Sequence, residues 1–132
     1  EIRVCKGIRR LLDLGISSDR FTISSDGQGS LPIFDEKRQY QGIGIGKASC
    51  LLKEIRECVQ QEGIPLEIAI KGITSNPASI LKLSSKGRLR AGFDADICLL
   101  DESTLALHTV IAKGRIMVYG GKQQVFGTFE RS

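Results

Sequence analysis

The sequence predicts an α/β fold, a barrel-like first part followed by a small sheet, with the boundary near Ser85. Three observations predict it. Apolar residues recur at helical spacing through most of residues 2–83, and one short period-2 segment interrupts them before a carboxylate and several glycines. After Ser84 the period becomes strand-like. The resulting order is α, β, α, α, α and then several β, and its opening of helix, short link and strand is the repeating step of a barrel or a doubly wound sheet.

Val4, Ile8, Leu11 and Leu12 define a helix over residues 2–14, and Gly15 suits its C-terminal stop. Ser17, Ser18 and Asp19 link it to the strand pattern, in which Phe21 and Ile23 alternate with Thr22 and Ser24. Asp26 lies at the C-terminal end of that pattern, and Gly27, Gly29 and Pro32 prevent regular structure from continuing. Residues 34–46 are polar and glycine-rich, and residues 42–47 are expected to form a flexible loop covering the end of the barrel. Ala48, Leu51, Leu52, Ile55 and Val59 share a face of a second helix that Gly63 ends. Pro65 opens a third helical stretch, residues 66–72, and Asn76 and Pro77 read as N-cap and first residue of a short helix through Leu83. Residues 95–100 form an apolar strand. Lys113-Gly114 turns between strands at 110–112 and 116–119, and Gly120-Gly121 starts another turn.

A content of 41% hydrophobic and 26% charged residues is ordinary for a globular domain. The net charge of +4 arises from 19 basic and 15 acidic residues scattered together. Lys82, Lys86, Arg88 and Arg90 are the densest basic group, but Asp94, Asp96, Asp101 and Glu102 follow at once, and few aromatics offer stacking surface. A nucleic-acid role is therefore not expected. No apolar run approaches the ~20 residues of a membrane span. Cys5, Cys50, Cys58 and Cys98 make no C-x-x-C pair and sit among apolar neighbours, as small core residues of a reduced, cytoplasmic protein would. Residues 1–12 already read as part of an element, and there is no initiator Met, so the chain is expected to be a piece of something larger.

Gly42-Ile-Gly44-Ile-Gly46-Lys47 fails as a phosphate-binding loop, because Gln41 and Ala48 stand where glycine and a hydroxyl residue are needed. His108, the single histidine, has no evident partner for general-base work. No pattern of three or more His, Cys or carboxylate ligands emerges. Asp26 has two readings, an Asx-turn that ends a strand or a carboxylate placed for chemistry at a strand's C-terminal end. For chemistry on water it needs help. A carboxylate of reference pKa about 3.9 is too weak a base for bulk water at about 15.7, whereas a metal brings coordinated water to about 7.

Thr74-Ser-Asn-Pro-Ala78, Ile80-Leu-Lys-Leu83 and Gly87-Arg-Leu-Arg-Ala-Gly-Phe-Asp-Ala-Asp-Ile-Cys-Leu-Leu-Asp101 resemble the C-terminal signature of the metal-dependent amidohydrolases. Within that superfamily, Ser24-Ser-Asp-Gly-Gln-Gly-Ser-Leu-Pro32, Phe34-Asp-Glu36 and Gly127-Thr-Phe-Glu130 are most similar to the isoaspartyl dipeptidases. The resemblance implies the last part of a (β/α)8 TIM barrel over residues 1–84, followed by strands of a small β-sandwich domain over 85–132. It implies zinc, in a binuclear centre, and hydrolysis of β-aspartyl dipeptides by a homo-oligomeric parent enzyme, the isolated chain being inactive. It also implies that Asp26 is a zinc ligand and proton shuttle at the end of barrel strand eight, and that Ser30 helps hold the substrate carboxylate. The family's His-x-His pair, bridging carboxylated lysine and two further histidines match nothing in this sequence. Two alternatives stand beside this: another amidohydrolase acting on cyclic amides or N-acyl groups, and a non-catalytic binding module.

Overall fold

In the computed structural model, which describes residues 3–128, the first helical pattern becomes α1 (Val4–Asp13). Ile2 of the expected helix, and Phe129 and Glu130 of the closing motif, lie outside the described residues. The helix ends where the glycine signal predicts. Gly15, at φ 76, lets its own N–H reach the Leu12 carbonyl at 2.9 Å and the Ile16 N–H reach that of Leu11 at 3.0 Å, a Schellman closure.

The chain divides into two compact units after Asn76. In the first, Cys5 and Ile8 of α1 pack with Ile55 and Cys58 of α2 (Cys50–Gln60), and Ile64 and Ala69 complete the buried cluster. The i, i+3 spacing on each helix places both apolar residues on one face. Truncating a residue such as Ile55, which is fully buried, would cost about 2–5 kcal/mol. Gly63, at φ 61, reverses the chain after α2, and the Ile64 N–H returns to the Cys58 carbonyl at 3.0 Å. Pro65 stands immediately before α3 (Leu66–Ala69), which tightens into a 3-10 turn over Ile70–Ile73. A short helix, α4 (Ser75–Ile80), runs through the division between the units.

Two strands of the first unit lie where none was expected, β1 (Ser30–Phe34) across the segment that Gly29 and Pro32 were expected to keep irregular and β2 (Tyr40–Ile45) across the expected flexible loop. The two form an antiparallel hairpin. Its turn is organised by Asp35, whose Oδ1 accepts from the N–H groups of Lys37 at 2.9 Å and Gln39 at 2.8 Å, while Oδ2 accepts from Gln41 Nε2 at 2.9 Å. The rings of Phe34 and Tyr40 meet edge to face across it, with centroids 6.2 Å apart.

The second unit is a four-stranded antiparallel meander, β3 (Ile97–Leu100), β4 (Leu107–Ala112), β5 (Arg115–Tyr119) and β6 (Lys122–Gln123), in that spatial order. Lys113 and Gly114 both have positive φ, 48 and 78, as do Gly120 and Gly121 at 55 and 72, which suits tight hairpin turns. Lys86, from the basic group, is paired locally with Asp94 at 2.9 Å and with Asp96. The other oxygen of Asp96 accepts from the Lys113 N–H at 2.8 Å, tying this segment to the β4–β5 turn. Lys86 is thus held between two carboxylates of the acidic group that follows it. No helix among the described residues is long and apolar enough to cross a membrane.

Candidate functional site

The segment leading to Asp26 is not a strand, contrary to its period-2 pattern. Phe21 is extended, at φ −131 and ψ 155, but a ladder needs a second strand, and the Ile23 N–H donates instead to the Gly72 carbonyl of the 3-10 turn at 2.9 Å. A side chain at 72 would press on Ile23 Cδ1 at 3.2 Å and on Phe21 Cε2 at 3.3 Å, so this glycine permits the close approach. Asn76, 5% exposed, donates through Nδ2 to the carbonyls of Ser18 and Phe21, both at 2.7 Å. It is not the N-cap expected of it. α4 already begins at Ser75, and the irregular segment ahead of Asp26 has carbonyls that no ladder satisfies, which the Asn76 amide reaches. Lys71 adds an ion pair to Asp19 at 2.9 Å and a hydrogen bond to Ser18 Oγ at 3.1 Å.

Asp26 itself has φ 46 and Gln28 has φ 69, two non-glycine residues in the left-handed region within one turn. Such conformations are sparse outside glycine, and their concentration at one carboxylate marks a locally constrained loop. The turn closes by a hydrogen bond from the Gly29 N–H to the Asp26 carbonyl at 2.9 Å. Ser25 Oγ accepts from the Gly27 N–H at 3.2 Å, and Ser24 Oγ makes a longer contact, 3.4 Å, with the Asp26 N–H. The end of β2 then docks on the loop: Gln28 N–H donates to the Gly46 carbonyl and Gly46 N–H to that of Gly29, each at 2.9 Å.

Asp26 and Ser30 therefore share one loop, and both are exposed. Ser30 opens β1 and pairs with Ile45 in the hairpin. Asn76, expected as an N-cap, and Gly46, expected in a flexible loop, prove to hold this loop and its approach. The alternation of Gly42, Gly44 and Gly46 with Ile43 and Ile45 was the available signal for β2.

As for a metal, Asp26 offers one carboxylate from this loop, and among the described residues no three or more His, Cys, Asp or Glu side chains converge to hold an ion. These residues fit one position of a metal centre and do not build one. The other candidates have structural roles. His108 Nδ1 lies 2.8 Å from Thr109 Oγ1, and its ring meets Tyr119 edge to face at 5.5 Å. Burial, with Cys5 and neighbouring carboxylates adding to it, pushes the Cys58 thiol up to about 11, which keeps it protonated and poorly nucleophilic. All four cysteines are free thiols.

Residues 1–118 match the Amidohydrolase family. A β-aspartyl dipeptidase of Fervidobacterium islandicum AW-1, solved in complex with a β-Asp-Leu dipeptide, superimposes with TM-score 0.80 at 35% identity over 95% of this chain. Another structure of β-aspartyl dipeptidase from that organism gives 0.77 at 30% identity over 97%. The chain spans 32% and 30% of those two proteins. An N-acetylglucosamine-6-phosphate deacetylase of Lysinibacillus sphaericus is 42% identical over 77 residues, 58% of this chain and 20% of the deacetylase. The deacetylase structure from Pasteurella multocida, at 17% identity and TM-score 0.62 over 86% of this chain and 34% of its own, shares the fold.

Proposed function

The chain belongs to the amidohydrolase family, a class of hydrolases, and from that premise we propose that the protein carrying it hydrolyses β-aspartyl dipeptides. The likeness to the β-aspartyl dipeptidase of F. islandicum carries the reading, because it spans 95% of this chain at 35% identity. In this reading residues 1–84 end a barrel and 85–132 contribute strands to a small β domain. Zinc is the metal, a homo-oligomer the working form and the cytoplasm its place, the last in keeping with four free thiols.

The metal, when bound, supplies Lewis-acid chemistry, lowering the pKa of water to about 7 and polarising the scissile carbonyl. Asp26 offers it one carboxylate. The same carboxylate takes the proton from the attacking water and returns it to the leaving amine as the C–N bond breaks, so the overall reaction is balanced hydrolysis. Ser30 donates from Oγ to the substrate carboxylate, and its pairing with Ile45 at the start of β1 holds its main chain in the hairpin.

The test is turnover of β-Asp-Leu by the full-length protein and its Asp26→Asn variant. Loss of general acid–base function is expected to cost about 10²–10⁴ in kcat; an Asp26→Asn enzyme with normal turnover would retire the assignment. A second reading, deacetylation of an N-acyl sugar, is favoured by the 77-residue match to the L. sphaericus deacetylase. A substrate panel of β-aspartyl dipeptides, cyclic amides and N-acetylated sugar phosphates separates the two, and inactivity on every one favours a non-catalytic module.

A further inference from the structure

We propose that Gly29 and Gly46 are positioning residues for Asp26, the first bounding its carboxylate and the second its main chain; the inference rests on the reading of Asp26 as a site residue. Gly46 is buried although it follows Ile45, which is 66% exposed. Its φ lies outside the left-handed region, so what excludes a side chain there is space. A Cβ at 46 would overlap the Asp26 carbonyl oxygen and stand 3.2 Å from the Asp26 carbonyl carbon and 3.4 Å from the Ser25 oxygen. These are main-chain atoms and cannot rotate away. Restoring ordinary contact, about 3.4 Å or more between that Cβ and the Asp26 carbonyl oxygen, requires displacement on the order of 1 Å.

At 29 the obstruction includes the functional group itself. A Cβ there would lie 2.6 Å from Asp26 Oδ2, 2.7 Å from its Cγ and 2.8 Å from its carbonyl oxygen. Any side chain at 29 drives the carboxylate out of its present position. The hydrogen bonds of Gly46 to Gly29 and Gln28 join the two contacts into one clamp, so the hairpin transmits its own position to the carboxylate. Gly44, two residues earlier on β2, is the internal control. Its Cβ would meet only the flexible end of Ile33 at 3.2 Å and the Leu31 oxygen at 3.8 Å, away from Asp26.

A misplacement of about 1 Å can cost about 100-fold in rate. In the full-length, metal-loaded protein with β-Asp-Leu as substrate, Gly46→Ala and Gly29→Ala are expected to lower kcat roughly 10- to 100-fold with KM held within about two-fold. Gly44→Ala should keep kcat within about two-fold. In an Asp26→Asn background, Gly46→Ala and Gly29→Ala should cause no further loss, because both act through the carboxylate already removed. A crystal structure of Gly46→Ala should place Asp26 about 1 Å from its position in Gly44→Ala. Wild-type kcat in both glycine variants, an unmoved Asp26, or an equal further loss in the Asp26→Asn background overturns the proposal. Should Gly46→Ala fail to fold, Gly29→Ala, whose new methyl meets the rotatable Asp26 carboxylate as well as the Asp26 carbonyl oxygen, carries the kinetic arms with the same outcomes. Normal turnover by Asp26→Asn alone removes the functional reading and this inference with it; an inactive Asp26→Asn beside fully active glycine variants removes only the inference.

Discussion

Replacing Asn76 should damage the approach to Asp26 more than any polar substitution on the surface. Its amide is 5% exposed and supplies two 2.7 Å hydrogen bonds to the carbonyls of Ser18 and Phe21. Removing the amide deprives both carbonyls of their donor, at about 1–2 kcal/mol each, so Asn76→Ala is expected to cost about 2–4 kcal/mol. Asn76→Asp keeps the shape but sets acceptors against acceptors. Burial and the two facing carbonyls favour the neutral form of the introduced carboxyl, raising its folded pKa above the unfolded value of about 3.9. Its penalty is therefore smaller below pH ~4, where the carboxyl is largely protonated in both states and its single O–H can still donate to one carbonyl, and grows as pH rises toward 7. Urea denaturation of the full-length protein and both variants at pH 4 and pH 7 measures this. Asn76→Ala within ~0.5 kcal/mol of wild type, or Asn76→Asp with the same penalty at both pH values, would refute the reasoning.

Two further predictions concern pH. The Cys58 thiol is raised from 9.0 to about 11, so the folded state holds its proton after the unfolded state has released it. Stability should fall as pH rises from 9 toward 11, by about 2 kcal/mol at the upper end, and Cys58→Ala, weaker at neutral pH, should lack this component in alkaline denaturation. Asp101 is held down to about 2 by hydrogen bonds from the Thr104 N–H and hydroxyl and from the Ser103 hydroxyl, each at 2.8 Å. A depressed carboxylate stabilises above its unfolded pKa, and that contribution is lost as pH falls from about 4 through about 2. Asp101→Asn should therefore flatten the acid limb of a denaturation profile over that window and leave the alkaline limb unchanged.

The helices were legible because their faces are buried: Cys5 and Ile8, and Ile55 and Cys58, repeat at the spacing that one core imposes on both. β2 was not, because alternate glycines empty one face while Ile43 and Ile45, 67% and 66% exposed, supply no burial on the other. The contrast between an apolar and a polar face, on which strand reading depends, was missing although the period was present. The approach to Asp26 failed in the opposite sense. Its side chains alternate correctly, yet a strand is defined by a partner, and the Ile23 N–H finds the carbonyl of Gly72 in a turn. Asn76 follows the same logic: an Asn before Pro is a cap by local chemistry, and the carbonyls of Ser18 and Phe21 that claim its amide are far away in sequence. Asp26 was visible as a residue type after an extended pattern, but what fixes its position was not. A glycine twenty residues further on matters only once the hairpin folds back and places Gly46 against the Asp26 main chain. The chemistry of this loop thus resides in a residue that sequence can nominate, while its precision resides in absent side chains, a property that only the close approach of two backbones discloses.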